Sequence, residues 1–117
     1  MPVIAIVLEG EVTQAQSLLK FHKTLGVSLH SLKDSWLNER PIVEVEIFEG
    51  DYQEKAKIIR SVLKIIHEEH LVAKFYEIPF GEQYAGNSQL QTWEVDAALV
   101  GGILDAADKE VDRQLDN

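Results

Sequence analysis

The sequence predicts an α+β fold. A three-stranded sheet carries helices on one face in the order β-α-α-β-α-β, a two-layer arrangement, and a C-terminal loop and helix follow. Three observations predict it. Residues 3–8 (VIAIVL) are apolar at nearly every position, as in a strand buried on both faces at the centre of a sheet. Val43, Val45 and Ile47 alternate with Glu44, Glu46 and Phe48, the two-residue period of a strand with one buried face. Between Pro41 and Pro79 the chain reads strand, helix, strand, a connection that favours a parallel, right-handed crossover.

Each element has its local reason. Glu9–Gly10–Glu11 makes a turn, and from about Val12 the positions Ala15, Leu18, Leu19, Phe21 and Leu25 recur at helical spacing. Gly26 is placed to close that helix in the left-handed conformation that glycine tolerates. Ser28 caps a short second helix whose apolar face is Leu29, Leu32, Trp36 and Leu37. After the second strand, Asp51 caps a third helix with the stripe Ala56, Ile59, Val62, Leu63 and Ile66. In the third strand Val72, Lys74 and Tyr76 alternate with Leu71, Ala73, Phe75 and Glu77, and Pro79 ends the pairing. Residues 79–92 form a loop by composition, with Gly81, Gly86 and Asn87–Ser88 as turn residues. From Trp93 onward Val100, Ile103, Leu104, Ala107, Val111 and Leu115 keep one helical face. Gly101–Gly102 interrupts it, either by starting a new helix after an extended Thr92–Val95 or by letting two backbones approach closely. Residues 1–117 read as one domain, with the core over 3–78 and an extension over 79–117.

Composition bounds the function. Twenty acidic residues against eleven basic ones give a formal net charge of −9, which repels phosphate backbones and steers basic partners inward. The absence of cysteine excludes disulfides and thiolate metal sites. No apolar run has the length of a membrane span, and residues 3–8 are too short for a signal-peptide core. A cytoplasmic protein without membrane or direct nucleic-acid contact is expected.

Four groups of residues have chemistry to offer. His67 and His70 beside Glu68 and Glu69 lack a third ligand at metal spacing, and a cation is favoured at a helix C-terminus, so no metal is expected. His22 and His30 flank the turn after the first helix. Asp34, four residues beyond His30, is the one carboxylate placed to orient it as a base, but no nucleophile joins them. Glu44 and Glu46 share one side of the second strand, and Glu49, Asp51 and Glu54 extend the acidic set around the following turn. Among Trp36, Phe48, Tyr52, Tyr84 and Trp93, the aromatics suited to anchoring an interface, Phe48 and Tyr84 are the surface candidates. No glycine-rich phosphate loop or nucleophile elbow is present.

The order of elements, with a Gly-terminated first helix and a short second one, resembles the C-terminal domain of the ribosomal stalk protein L7/L12. The family's segment TGLGLKEAKDLV lies along Leu25 to Trp36, matching at Gly26, Leu29, Lys33 and Asp34, and the resemblance covers about residues 3–78. It implies the three-stranded fold and a factor-recruiting basic surface on the first two helices, here Lys20, Lys23 and Lys33. Ser28 and His30 stand where the family has a glycine and a lysine, which points to a borrowed architecture rather than to a stalk protein.

The function expected is that of a non-enzymatic, acidic protein-binding domain without cofactor. Its concrete form is an immunity-type inhibitor that neutralises a basic, nuclease-like toxin through Glu44, Glu46, Phe48, Glu49, Asp51 and Tyr84. The alternative is an adaptor that uses Lys20, Lys23 and Lys33. The apolar face of the C-terminal helix offers a surface for a homodimer.

Overall fold

The computed structural model describes residues 3–12, 15–47 and 50–115. Its elements are β1 (Val3–Leu8), α1 (Ala15–Leu25), α2 (Leu29–Leu37), β2 (Pro41–Glu46), α3 (Tyr52–Glu68), β3 (Ala73–Ile78), α4 (Leu90–Trp93), β4 (Glu94–Val95) and α5 (Ala97–Leu115). The α+β class is as expected, but among the described residues the sheet has four strands in the order β2-β1-β3-β4, each antiparallel to its neighbours. The fourth strand, which the sequence reading lacked, pairs Val95 with Phe75 and Glu94 with Tyr76. β2 and β3 run in the same direction across α3, yet β1 lies between them, so the parallel crossover joins strands that are not neighbours.

Alternation sorts the sheet into two faces. Ile4, Ile6 and Leu8 of β1 point into the main core with Phe21, Leu32, Trp36, Val43, Ile47, Ile59, Val62, Phe75, Val100 and Leu104. Ala5 and Val7 point the other way, with Tyr76 and Ile78, onto Val3, Tyr84, Leu90 and Trp93. Burial of β1 on both faces is as expected, but the helices are not all on one face, since α4 packs Leu90 and Trp93 against the second. The segment from Pro79 to Trp93 is a strap over the second face, because β1 and β3 are apolar on both sides and each side needs cover.

The caps read from the sequence are in place. Ser28 Oγ accepts the Ser31 amide at 3.1 Å, Asp51 Oδ1 accepts the Glu54 amide at 3.2 Å, and Gly26 takes φ +69° after α1. The core tightens where aromatics meet: Phe21 and Trp36 stack edge-on at 6.3 Å, and Trp36 Nε1 donates to the Glu9 carbonyl at 3.2 Å. Lys20 Nζ lies 2.6 Å from Glu69 Oε1 and ties α1 to the end of α3. That ammonium is the partner of a buried carboxylate oxygen that has no other among the described residues.

Asp96 immediately precedes α5 and its Oδ1 accepts the Leu99 amide at 2.7 Å, and the helix runs on through Gly101–Gly102. Neither reading of the glycine pair holds, since no atom lies within 4 Å of a Cβ built on either one and the extended piece is only Glu94–Val95. Val100, Leu104 and Ala107 are buried as expected, while the Leu115 side chain lies outside the described residues. α3 holds α5 by polar contacts as well. Tyr52 Oη lies 2.8 Å from the Leu104 carbonyl and 2.9 Å from Asp108 Oδ1, and Arg60 reaches Asp105 at 3.0 Å and Asp108 at 2.6 Å.

Two predictions follow from α5. Gly102→Ala raises stability by about 1 kcal/mol, because the helix gains propensity and nothing obstructs the new methyl; denaturant melts measure it. Burial, and then the hydrogen bond to Asp108, push the Tyr52 phenol from its ordinary 10.0 up to about 12. The folded chain thus holds this proton more tightly than the unfolded chain does. The resulting stability is fully present below pH 10 and is lost as pH rises through 12, on the order of 2 kcal/mol. Alkaline melts of the wild type and of Tyr52→Phe, which lacks this dependence, check it.

Candidate functional site

The site begins with the position of β2. Pro41 opens the strand where a missing N–H is tolerated, Val43, Val45 and Ile47 turn inward, and Glu44 and Glu46 share the opposite face. β1 pairs with β2 along one side only, so β2 is an edge strand. Charged residues and proline on an edge discourage uncontrolled strand pairing.

Both flanks of this edge are built up. α2 ends on Glu39 at φ +51°, with the Arg40 amide bonded to the Ser35 carbonyl at 2.9 Å and the Glu39 amide to the Trp36 carbonyl at 3.4 Å. This is a Schellman closure with glutamate in place of the usual glycine. It leaves the Glu39 carbonyl free to accept Tyr84 Oη at 3.0 Å. The Tyr84 amide donates to Glu44 Oε2 at 2.9 Å, and its ring stacks edge-on against Tyr76 at 5.5 Å. Farther along, Asn87 Oδ1 accepts the Gln89 amide at 2.9 Å and shapes the turn that leads to α4.

Between α2 and the strap lies a cleft of ≈ 640 Å³, lined on one side by His30, Asp34 and Ser35, along β2 by Pro41 and Glu44, and on the other side by Tyr84 to Gly86. Asp34, Glu39 and Glu44 outnumber Arg40 there. Asp34 is already engaged, by Arg40 and by Asn38 Nδ2 at 3.0 Å. Glu44 is exposed even though one of its oxygens is fixed. Burial first, then the nearby Glu39 carboxylate, raise the Tyr84 phenol above its ordinary range; Lys74 opposes them, and Glu44 and Glu9 add less.

The residues expected to bind a partner fall into separate places. Glu44 and Tyr84 come together in the cleft, and Glu46 follows, half-buried, along the same strand. The Asp51 carboxylate caps α3. Phe48 and Glu49 lie outside the described residues. Tyr84, expected as a surface anchor in a loop, is half-buried with its amide and hydroxyl both committed within the chain. On the other surface Lys20 is paired with Glu69, whereas Lys23 and Lys33 are exposed near Leu19, Val27 and Leu29, apolar side chains that are 45%, 37% and 41% exposed.

The histidines divide as well. His30 lines the cleft with Asp34, but the hydrogen bonds of Asp34 recorded among the described residues go to Arg40 and Asn38. His22 Nδ1 is 2.7 Å from the Val27 carbonyl and closes the turn. His70 sits at φ +53° where α3 ends, with the Leu71 amide bonded to the Ile66 carbonyl. Among the described residues no group of three His, Asp or Glu side chains is placed to hold a metal ion, and no helix is long and apolar enough to cross a membrane. Glu39 and Arg40 carry no recognisable signal in the sequence, where they read as the connection into β2. No protein-family model, curated protein or solved structure matches this chain.

Tyr84→Phe removes the bond to the Glu39 carbonyl and lowers stability by about 1 kcal/mol. Amide exchange localises the loss, with faster exchange across the strap and no change in α3.

Proposed function

We propose that this chain is a non-enzymatic, acidic protein-binding domain that covers a basic surface of another protein, in its concrete form an immunity-type inhibitor of a basic, nuclease-like toxin. The observation that carries this reading is Glu44, an exposed carboxylate fixed by the Tyr84 amide at the mouth of the cleft. A carboxylate held in place before binding loses little freedom when a lysine or arginine meets it, and that favours affinity. The net charge of −9 adds long-range attraction for a basic partner. Glu44 and Tyr84 are then the centre of the contact, with Glu46 beside them. Asp51 contributes charge from its capping position. In this reading the protein acts in the cytoplasm, where an inhibitor shields its own cell.

An adaptor is the second reading, favoured by one specific observation. Leu19, Val27 and Leu29 are exposed on the same α1–α2 hairpin as the exposed Lys23 and Lys33, a mixed apolar and basic surface suited to an acidic segment. It is the surface that the likeness to the stalk domain implies.

Stopped-flow association with a catalytically inactive basic nuclease domain separates the two. The inhibitor reading expects an association rate that falls steeply with salt, and a drop on the order of tenfold in Glu44→Lys at low salt. A rate indifferent to salt and to Glu44 counts against it. Binding to an acidic segment that is abolished by Lys33→Glu supports the adaptor instead.

A further inference from the structure

We propose that β2 is a strand-addition site, and that the partner docks as an extended segment pairing with the open edge of β2, its lysines or arginines on the Glu44 and Glu46 face and its apolar residues on the Val43 and Val45 face. The inference deepens the inhibitor reading and rests on it for the basic character of the partner.

The topology supplies the first argument. β1 and β3 are interior strands, and the other edge strand, β4, has only the two residues Glu94 and Val95. β2 has six residues and, among the described residues, one strand neighbour, so alternate backbone N–H and C=O groups along it face away from β1. Main-chain bonds to such an edge supply affinity whatever the partner's sequence, and the side chains supply the choice.

Charge supplies the second argument and selects the occupant. A second copy of this chain, added antiparallel with both helical layers on one side, places Glu44 and Glu46 opposite or diagonal to the same glutamates. Like charges in those positions are destabilising. A strand with basic residues at alternate positions meets the same two glutamates as favourable cross-strand pairs. Glu44 is also preset by the Tyr84 amide.

The surroundings supply the third argument and set the register. The cleft between α2 and the 84–86 turn runs beside the start of β2, at Pro41 and Glu44, and gives the partner's side chains room there. At the far end the Glu46 carbonyl already accepts Lys55 Nζ at 2.8 Å. Pairing is thereby confined to the stretch from Ile42 to Val45.

Amide exchange of the labelled, full-length chain with a short peptide of alternating lysine and valine tests the proposal. The peptide is expected to slow exchange of β2 amides between Ile42 and Val45 and of no other strand. The same peptide N-methylated on the pairing amides keeps its charge and is expected to bind about tenfold more weakly or worse. In Glu44→Lys/Glu46→Lys the preference is expected to switch to a glutamate–valine peptide. Glu44→Gln, which retains an acceptor for the Tyr84 amide, serves if the double variant does not fold, and it is expected to weaken the lysine peptide alone. Equal binding of the N-methylated peptide, protection elsewhere, or no binding overturns strand addition. If the basic nuclease domain still binds with steep salt dependence while β2 stays unprotected, strand addition fails and the inhibitor reading stands. Protection of β2 by the peptide together with no response to basic nucleases leaves strand addition standing and removes the inhibitor.

Discussion

Everything in this fold answers to the burial of β1 on both faces. Residues Ile4 to Leu8 are almost completely removed from water, and none of the five is polar. A strand of that kind is stable only with a strand on each side and a layer over each face, since every exposed methylene forfeits hydrophobic free energy. β2 and β3 supply the sides. α1, α2, α3 and α5 supply one face, and the strap from Pro79 to Trp93 supplies the other.

The same constraint sets what is left for function. With β1 and β3 inside and β4 only two residues long, the longer edge strand is β2, which carries glutamates on its outward phase. Those glutamates have two physical effects at once. They oppose pairing of one copy with another, and they attract strands of opposite charge.

The strap converts a strand into a site. Tyr84 spans from the end of α2 to the face of β2, and in doing so it spends its amide on Glu44 and its hydroxyl on Glu39. A flexible glutamate on an exposed strand samples many rotamers, whereas one held at 2.9 Å from a backbone amide presents its charge in one direction. The helix end at Glu39, kept in a left-handed conformation that glutamate disfavours, belongs to the same arrangement.

The local signals were legible because their causes are local. Alternation at Val43, Val45 and Ile47 needs only the pleat of a strand, the caps at Ser28 and Asp51 need only the nearest helix amides, and the turn at Gly26 needs only its own dihedral angles. The edge glutamate Glu44 was legible as a candidate for the same reason, by its phase against buried neighbours. Tertiary structure alone decided the rest. β4 has two residues, too few to show a period, and exists because β3 offers it backbone partners. The cleft depends on bonds between Tyr84 and groups 40 and 45 positions away in the chain, and no spacing rule reaches that far. Which strand became the edge is likewise a property of the assembled sheet, fixed by where apolar surface had to be covered on both sides of β1.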